Sequence, residues 1–329
     1  SILNSRTMEN MFKIIVGGKI HQKGIDLLEK VKNFEVLVLP DASQETLENN
    51  ISDADAILLR LQSFTKSMID KSLKLKILSR NGVGYDRIDI PALTNKKIPL
   101  TIVGDVNSGS VAEHTIMFIL DLLKNTKRHD HMIRSNNWKD RDLLISNDFE
   151  GKKILIVGFG RIGQKVAGIA HAFNAKINIY DPFIKNRESY KQSYTFFDEL
   201  NLAFGESEII TLHAPGSKKP IIGRDEIKLM QPDTILINTS RGSHIDLDAL
   251  LDAVRSGQIR GAGLDVYPEE PPDISKHEIF NHENILFSPH IAGLNNDCAA
   301  RMAINSAQNI IDYFSGKLKP EFTINQEIL

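Results

Sequence analysis

The sequence offers little from which cross-links or a membrane anchor could be built. Its 329 residues include one cysteine, Cys298, so no disulfide can form within the chain, and zinc sites made of several cysteines are excluded. No apolar run approaches the ~20 residues that a transmembrane helix needs. Residues 1–10 are polar and lack the apolar core of a signal peptide. We therefore expect a cytoplasmic protein that has no membrane partner.

An excess of charge of either sign is also missing. The chain has 40 lysines and arginines against 42 aspartates and glutamates, a formal net charge of −2. A protein that mainly wraps nucleic acid usually carries a basic excess, so we expect no nucleic-acid partner. Hydrophobic residues make up 41% and charged residues 25%, which is typical of a globular chain. At roughly 150 residues per domain, the length suggests two domains directed at a small molecule.

Short β-rich runs alternate with helical patterns from residue 12 onward, which predicts parallel sheets with right-handed crossovers. In the first series we predict strands at 12–16, 34–39, 56–59 and 75–79, and helices at 21–30, 43–50 and 67–72. The second series predicts strands at 154–157, 176–180, 209–213, 234–238, 262–266 and 285–287, and helices at 162–173 and 247–256. A closing helix at 295–314 is expected to return to the first domain, which would make that domain discontinuous.

A long helix is predicted over residues 110–124, between the two series. Ser110 and Glu113 form a capping-box pattern at its start. Because the helix is apolar on most sides, we expect it to be buried between domains or between subunits.

A glycine-rich turn follows the first strand of the second series. Residues 153–163 read K-I-L-I-V-G-F-G-R-I-G, which places G-x-G-x-x-G at Gly158, Gly160 and Gly163. Between a strand and a helix this pattern indicates dinucleotide binding. The first glycine makes the tight turn, the second admits the pyrophosphate, and the third permits close helix–strand packing. The phosphates then lie at the positive end of the helix.

An acidic residue at the end of the next strand strengthens this interpretation. Asp181 follows the glycines by about 20 residues, the spacing expected for a carboxylate that binds the adenosine ribose. Pro182 and Phe183 come next, with no adjacent arginine to receive a 2′-phosphate. The sequence therefore predicts NAD, rather than NADP, as the cofactor.

Polar residues also follow other strands of the second series. Ligands of open α/β sheets bind beyond the carboxyl ends of the strands, so these residues are candidates for chemistry. A histidine, a carboxylate and an arginine in one cleft would suit polarising a carbonyl group and moving a proton. Spacing does not distinguish Glu269 from Glu270, and a solvated turn would explain either. The candidates are His213, Arg241, Asp265, Glu269, Glu270 and His290.

Other histidines have simpler explanations. His129 and His131 form an H-x-H pattern in a charged stretch at a helix end, which we interpret as a solvated face, and we predict no metal site. His114 and His171 are predicted to be packing or cap residues on helices.

Six motifs, in order, resemble those of the D-isomer-specific 2-hydroxyacid dehydrogenases, most closely the phosphoglycerate dehydrogenase-like members. The similarity runs from about residue 12 to residue 314. The motifs are N-G-V-G-Y-D at 81–86, S-V-A-E-H-T at 110–115, V-G-F-G-R-I-G at 157–163, N-T-S-R-G at 238–242, L-D-V-Y-P-E-E-P at 264–271 and S-P-H-I-A-G at 288–293.

The resemblance implies catalytic and substrate-binding roles. The family's arginine falls on Arg241, which would bind the substrate carboxylate and oxo oxygen. Its glutamate is the one directly before proline, Glu270, which would orient the imidazole of His290. His290 would protonate the developing alkoxide as hydride reaches C2. The backbone amides of Val83 and Gly84 would hold the carboxylate.

The resemblance also implies an architecture and further cofactor contacts. A flavodoxin-like substrate domain would comprise residues 11–107 and 296–329, and a Rossmann NAD-binding domain residues 108–295. Both would be doubly wound α/β domains with parallel sheets, and the active site would lie in a cleft between them. The family forms homodimers through the NAD-binding domain. The further cofactor residues are Arg161, Ile162, His213, Ala214, Thr239, Asp265 and Gly293.

The substrate is less sharply indicated. In phosphoglycerate dehydrogenases an arginine after the third strand reaches the substrate phosphate, and Arg60 has that position. Arg134, with Trp138, matches a second element of those enzymes. Leu61 and Gln62 depart from the polar continuation usual after the first arginine, and Arg60 could also be a surface residue. Many relatives that act on glyoxylate or hydroxypyruvate also keep the Arg/Trp element. A reductase of glyoxylate, hydroxypyruvate or another 2-oxo acid is therefore the alternative to a 3-phosphoglycerate dehydrogenase.

One alternative comes from a different class of protein. Some relatives are NAD-sensing transcriptional co-repressors that use the same fold as a binding module. The complete set of Arg241, Glu270 and His290 favours an enzyme.

Overall fold

The computed structural model describes residues 10–329, so the sequence-based expectation about the opening residues concerns a segment that lies almost entirely outside the described range. The chain divides into two compact units. One comprises the residues up to Val106 together with Asn295–Leu329, and the other comprises Asn107–Leu294. Within residues 10–329, every helix is too short or too polar to cross a bilayer.

Twelve strands and eleven α-helices make up the regular structure of the described residues. The strands are β1 Phe12–Val16, β2 Phe34–Val38, β3 Ala56–Leu59, β4 Ile77–Arg80, β5 Leu100–Thr101, β6 Lys153–Val157, β7 Lys176–Tyr180, β8 Tyr194–Phe196, β9 Ile209–Leu212, β10 Thr234–Asn238, β11 Ile259–Leu264 and β12 Ile285–Phe287. The helices are α1 Gln22–Glu29, α2 Gln44–Glu48, α3 Lys66–Lys71, α4 Ile90–Asn95, α5 Ser108–Lys124, α6 Thr126–Arg134, α7 Arg161–Ala172, α8 Leu200–Gly205, α9 Arg224–Lys228, α10 Leu247–Ser256 and α11 Asn296–Phe314.

The first unit is a five-stranded parallel sheet in the order β2-β1-β3-β4-β5, the flavodoxin-like order. Its strands are apolar on both faces because helices cover both sides. One face packs on α1 and α11, and the other on α2, α3 and α4. Helices α1 and α11 approach closely at Gly24, where a Cβ atom would lie 2.7 Å from the Cβ of Ala303. The closing helix therefore packs in the first unit.

The second unit is a seven-stranded parallel sheet in the order β12-β11-β10-β9-β6-β7-β8. Helices α5 and α7 cover one face, and α8, α9 and α10 cover the other. The strand order reverses between β6 and β9, which is the position where open α/β sheets bind ligands. The predicted class, two doubly wound parallel α/β sheets, is confirmed.

The predicted capping box of the long helix is wrong. Helix α5 begins at Ser108, after the N-cap residue Asn107, so Ser110 is the third residue of the helix. Ser108 and Ser110 are both buried, which carries the first turn into the core of the unit. The apolar face of the helix packs on α7, β10 and β11 of its own unit.

Some predicted strand boundaries are also wrong. The strand predicted at 262–266 is β11, which ends at Leu264 opposite Asn238, the last residue of β10. Asp265 leaves the sheet at that point because its strand partner ends. Strands β5 and β8 were not predicted, since segments of two and three residues carry no periodic pattern.

Candidate active site

The glycine turn lies where the strand order of the second sheet reverses. Gly158 follows β6 with a φ of +97°, and a Cβ atom there would lie 2.5 Å from the carbonyl oxygen of His213, which follows β9. A Cβ atom on Gly163 would lie 2.1 Å from the carbonyl oxygen of Gly158. At Gly160 a Cβ atom would meet nothing within 4 Å. Two glycines are thus required by packing, and the third leaves open space at the start of α7.

Asp181 lies at the end of β7 with both carboxylate oxygens held by backbone amides. Its Oδ2 accepts a hydrogen bond from the Phe159 N–H at 2.8 Å, and its Oδ1 accepts one from the Phe183 N–H at 2.8 Å. These bonds fix the orientation of the carboxylate, and each oxygen retains a lone pair for a ribose diol. The glycine turn, the open space at Gly160 and this carboxylate fit a dinucleotide.

Two cavities open beside this turn. The first, about 390 Å³, is largely apolar, and among the predicted cofactor residues it is lined by Gly158, Gly160, Asp181, His213 and Ala214. The second, about 450 Å³, is lined by Ile162, His213, Ala214, Thr239, Asp265 and Gly293, with Arg241 and His290 beside them. Of the predicted cofactor residues, Gly163 is buried in packing and Arg161 is exposed at the first position of α7, so these two line neither cavity.

His213 lies between the two cavities. Its Nε2 is 2.8 Å from the Thr211 hydroxyl, whereas Nδ1 is buried with no hydrogen-bond partner among the described residues. Burial lowers the pKa of His213 to about 3, so the ring is neutral at physiological pH.

The predicted acid–base residues form a pair. The Nδ1 of His290 is 2.6 Å from Oε2 of Glu270, and Oε1 of Glu270 accepts a hydrogen bond from the Tyr267 N–H at 3.1 Å. Burial alone would raise the pKa of Glu270. The hydrogen bonds from His290 and Tyr267, with the charges of His290 and Arg241, outweigh burial and lower that pKa below its ordinary value. Glu270 is therefore an anionic partner for an imidazolium ring.

Arg241 lines a cavity of about 560 Å³ together with Glu270 and His290. Its Nη1 donates to the Ser240 carbonyl at 2.8 Å, and within residues 10–329 no carboxylate forms an ion pair with its guanidinium group. Glu269 is exposed and does not line this cavity. The structure therefore distinguishes the two adjacent glutamates, which spacing could not.

The loop that carries His290 is held from beneath by Asp265, which is fully buried. Oδ1 of Asp265 accepts hydrogen bonds from the Ser288 hydroxyl at 2.6 Å and the Ile291 N–H at 2.9 Å. Its Oδ2 accepts one from the Ala292 N–H at 3.0 Å. His290 itself has a φ of +52°, in the left-handed region. Asp265 thus holds the loop that carries His290, and both residues line the cavity of about 450 Å³.

Val83 and Gly84, the predicted carboxylate-binding residues, lie on an exposed loop after β4 of the first unit. The buried Arg80 supports this loop, because its Nε donates to the Gly84 carbonyl at 3.0 Å and its Nη1 to the Asn81 carbonyl at 2.6 Å. Burial, with the nearby charge of Arg60, lowers the pKa of Arg80 from its usual high value. Arginine stays protonated nonetheless, so the loop lies beside a fixed positive charge.

Arg60 follows β3, next to the point where the strand order of the first sheet reverses. The buried Gln62 explains the unusual continuation after it. Its Nε2 donates to the Gly17 carbonyl at 2.5 Å, and its Oε1 accepts from the Arg60 N–H at 3.0 Å. Gln62 therefore joins the ends of β1 and β3.

Arg134 is not brought to the cavity of Arg241 and His290 in the described residues. It lies on α6, exposed, with its Nε 2.6 Å from Asp130. Trp138 is 64% exposed, and Arg141 lies 5.2 Å from the centre of its ring. His129 and His131 lie on the same helix, and no group of three potential metal ligands occurs among residues 10–329.

Two residues of the site were not singled out from the sequence. The Tyr267 hydroxyl donates to the Ser288 carbonyl at 2.7 Å, and the Ser288 side chain reaches Asp265. Both stand inside motifs quoted above, at 264–271 and 288–293. Their position in those motifs is the sequence signal that could have found them.

Comparison with known proteins identifies the family. Residues 116–292 match the sequence model of the D-isomer specific 2-hydroxyacid dehydrogenase, NAD binding domain. The chain is 33% identical to a glyoxylate reductase of Thermococcus litoralis over 96% of this chain and 98% of that one. It is 36% identical to a D-3-phosphoglycerate dehydrogenase of Methanocaldococcus jannaschii over 85% of this chain, but spans only about half (53%) of that relative's length.

A solved structure shows the same fold. The D-lactate dehydrogenase with NAD+ from Lactobacillus jensenii superposes with a TM-score of 0.81 at 23% identity, covering 95% of this chain and 99% of that one. The chain belongs to the D-isomer specific 2-hydroxyacid dehydrogenase family. It is an NAD-dependent D-2-hydroxyacid dehydrogenase, and its cofactor is NAD.

Proposed function

We propose that the protein interconverts a small (R)-2-hydroxy acid and its 2-oxo acid, with Arg241, Glu270 and His290 as its catalytic residues. The observation that carries this proposal is the 2.6 Å contact between His290 and Glu270 in the cavity that Arg241 also lines. An acid–base pair beside an unpaired guanidinium group suits a reacting carbonyl that is flanked by a carboxylate.

Arg241, His290 and Glu270 each have a separate role in the proposed reaction. Arg241 binds the carboxylate and polarises the oxo group, so that C2 becomes electrophilic. NADH, when bound, supplies the hydride that C2 accepts. His290 in its protonated form gives a proton to the resulting alkoxide oxygen, which completes the hydroxy acid, and the neutral ring removes that proton in the oxidative direction. Glu270 stabilises the protonated ring and fixes its orientation.

The cofactor contacts follow from the second unit, which we assign as the NAD-binding domain. Asp181 would accept hydrogen bonds from the ribose hydroxyls and repel a 2′-phosphate. The pyrophosphate would lie over Gly160 at the start of α7, where a positive helix end and open space coincide. We further propose cofactor contacts for Gly158, Gly163, Arg161, Ile162, His213, Ala214, Thr239, Asp265 and Gly293.

The first unit is the proposed substrate domain, and its contribution is an anion-binding loop. The exposed amides of Val83 and Gly84 would receive the substrate carboxylate. Arg60 forms no ion pair with a carboxylate among the described residues, so its side chain remains available to a second anionic group. Arg80 is occupied with the loop carbonyls and adds a nearby positive charge.

For the substrate we favour glyoxylate or hydroxypyruvate. The relative that is matched over nearly its whole length is a glyoxylate reductase, whereas the phosphoglycerate dehydrogenase is matched over about half. Arg60 in the first unit supports 3-phosphohydroxypyruvate as a second candidate, because a phosphate would pair with its guanidinium group.

Oxidation of NADH by a panel of 2-oxo acids tests the proposal. Glyoxylate, hydroxypyruvate, its 3-phosphate and pyruvate should separate the candidates by kcat/KM. Replacing His290 by alanine should lower kcat by ~10²–10⁴, the usual contribution of a positioned acid or base. Tight NADH binding without turnover of any 2-oxo acid would instead favour the co-repressor-like alternative.

We also propose a homodimer formed through the NAD-binding domain. The segment after α5 exposes large apolar side chains, which a partner would cover. Arg260 holds this segment in place, since its Nη2 donates to the carbonyls of Leu122 and Leu123 at 3.2 Å and of Ile145 at 3.1 Å. Light scattering should give about twice the chain mass of 36.9 kDa, and a monomeric mass would contradict the dimer. The exposed apolar residues are Ile133, Trp138, Leu143 and Leu144.

A cytoplasmic location is the remaining expectation. The single cysteine, Cys298, is buried, and NAD-linked reduction of small acids suits a reducing compartment. Cell fractionation with a tagged chain would test it.

A further inference from the structure

A hydrogen-bonded chain runs beneath the catalytic loop from a histidine to which the proposed reaction gives no role. His114 lies on α5, and its Nε2 is 2.8 Å from the Ser288 hydroxyl. The same hydroxyl is 2.6 Å from Oδ1 of Asp265. His114 is therefore one hydroxyl group away from the carboxylate that holds the backbone N–H groups of Ile291 and Ala292, directly after His290.

The direction of these hydrogen bonds can be worked out. Asp265 accepts two backbone N–H bonds, and a carboxylate can only accept. The Ser288 hydroxyl must therefore give its one proton to Asp265. It can then only accept from the ring of His114, so Nε2 of His114 carries a proton.

The surroundings of His114 are consistent with a neutral ring in this tautomer. The side chain is 14% exposed and packs edge-on against Phe118, with ring centres 4.8 Å apart. Burial lowers the pKa of His114, and the charge of Asp265 only partly opposes this shift. A neutral ring protonated at Nε2 is the donor that the hydrogen-bonded chain requires.

The hydrogen bonds between His114, Ser288 and Asp265 also determine which oxygen of Asp265 is left for other contacts. The Ser288 hydroxyl and the Ile291 N–H occupy both lone pairs of Oδ1. Among the described residues, Oδ2 accepts a hydrogen bond only from the Ala292 N–H, so one of its lone pairs stays available beside the cavity that Asp265 lines. Without the bond from Ser288, Oδ1 would keep only the Ile291 N–H, and the carboxylate would be held by two hydrogen bonds instead of three.

We propose that His114 is a positioning residue, which acts through Ser288 to fix the Asp265 carboxylate and thereby the loop that presents His290. The proposal rests on the role assigned to His290 in the proposed function. It adds a residue on a helix of the NAD-binding unit that touches neither substrate nor cofactor.

Paired substitutions at His114 test this role. His114→Leu removes the donor while keeping an apolar side chain against Phe118, and His114→Gln keeps an N–H donor near the position of Nε2. We expect His114→Leu to lower kcat about 10- to 100-fold, since misplacing a reacting group by about 1 Å can cost on the order of 100-fold. We expect His114→Gln to recover most of the loss.

Binding measurements separate positioning from general damage to the fold. NADH fluorescence titration of His114→Leu should still give one site per chain, because the glycine turn and Asp181 are untouched. Ser288→Ala should lower kcat to a similar extent, and the double variant should be no slower than the slower single variant, since both substitutions break one chain. His171→Leu, on the exposed side of α7, is the control and should keep the wild-type rate.

Several results would overturn the proposal. They are a wild-type kcat for His114→Leu, equal losses for the leucine and glutamine variants, a loss of NADH sites in step with the loss of rate, or fully multiplicative effects in the double variant. Failure of the proposed function has a different signature, because His290→Ala would then keep its activity whatever the variants at His114 do.

Discussion

Three carboxylates around the site each bind backbone amides as well as facing a cavity. Asp181 holds the Phe159 and Phe183 amides, Asp265 holds two amides of the His290 loop, and Glu270 holds the Tyr267 amide. A carboxylate fixed in this way cannot rotate to suit a ligand, so its remaining lone pairs are already oriented. Preorganisation of the site is therefore built into single side chains.

The charge of Glu270 should control the pH range of the reaction. Glu270→Gln removes the anion that stabilises protonated His290, so reduction of a 2-oxo acid should lose its activity at a lower pH than in the wild type. We expect the half-maximal point of kcat/KM to move to lower pH, because glutamine carries no charge that could stabilise the imidazolium ring. Glu269→Gln, at the exposed neighbouring position, is the matched control. Superimposable profiles for Glu270→Gln and the wild type would contradict the role.

His213 should make the fold sensitive to acid. Its pKa is about 3 in the folded chain, against the ordinary 6.5. Below pH 6.5 the unfolded chain binds a proton that the folded chain does not, so the free energy of unfolding falls by up to about 1.4 kcal/mol per pH unit until the folded pKa is reached. Urea unfolding at pH 7, 6 and 5 should show a shallower decline for His213→Gln than for the wild type. Equal slopes would disprove this contribution.

Three glycines shape the turn between β6 and α7. Two are needed for packing, and the third leaves space for a ligand. Gly158 has a left-handed backbone beside His213, and Gly163 packs against the carbonyl of Gly158. Gly160 instead faces open space. The spacing of the motif predicts this division of roles, and the structure shows close packing at Gly158 and Gly163 and open space at Gly160.

Alanine substitutions within α7 should therefore have opposite effects. Gly163→Ala would place a Cβ atom 2.1 Å from the Gly158 carbonyl oxygen, so the turn must open. NADH affinity should fall at least tenfold, and the melting temperature should drop. Gly168→Ala, in the same helix, meets nothing within 4 Å and should stabilise the chain by up to about 1 kcal/mol. Thermal unfolding and NADH titration of both variants test this contrast. A Gly163→Ala variant that binds NADH normally would show that the turn can relax.

Strands with a continuous apolar pattern were predictable from the sequence, whereas the ends of some elements were not. The strands β3, β7, β10 and β12 were predicted at their observed bounds, because buried strands of parallel sheets are apolar throughout. The start of α5 was misplaced, since a serine with a glutamate three residues later also occurs inside a first turn. Strand β11 was placed two to three residues too late, because its end is set by the length of β10 beside it.

At the scale of the whole molecule, two sheets with different strand orders place candidate site residues at their reversal points. Gly158 and His213 flank that point in the second sheet, and Arg60 lies beside it in the first. The sequence predicts these strand ends, and hence most candidate residues. The roles of Gln62 and Ser288 could not be predicted, because the contacts of Gln62 with Gly17 and of Ser288 with Asp265 join residues that are distant in sequence.

In the proposed dimer the exposed Arg134 could contribute to the active site of the second copy, although it lines neither cavity of Arg241 and His290 in its own chain. If Arg134 serves the site of a second copy, mixed dimers of Arg134→Ala and His290→Ala contain one intact site each. Refolding an equal mixture of the two impaired variants should then restore up to about a quarter of the wild-type activity, since half of the dimers are mixed. Steady-state assays before and after refolding measure the gain. No recovery would place the role of Arg134 within its own chain, or remove it.

The left-handed backbone at His290 restricts which residues can occupy that position. A side chain there must tolerate a positive φ, which costs most residues about 1–2 kcal/mol but suits asparagine. Part of the loss in an alanine variant would therefore come from a loop that no longer holds its shape. Asparagine removes the titrating ring at the lowest backbone cost, so the difference between His290→Asn and His290→Ala separates the proton from the conformation. By the same reasoning, β-branched residues are barred from this position whatever chemistry the site adopts.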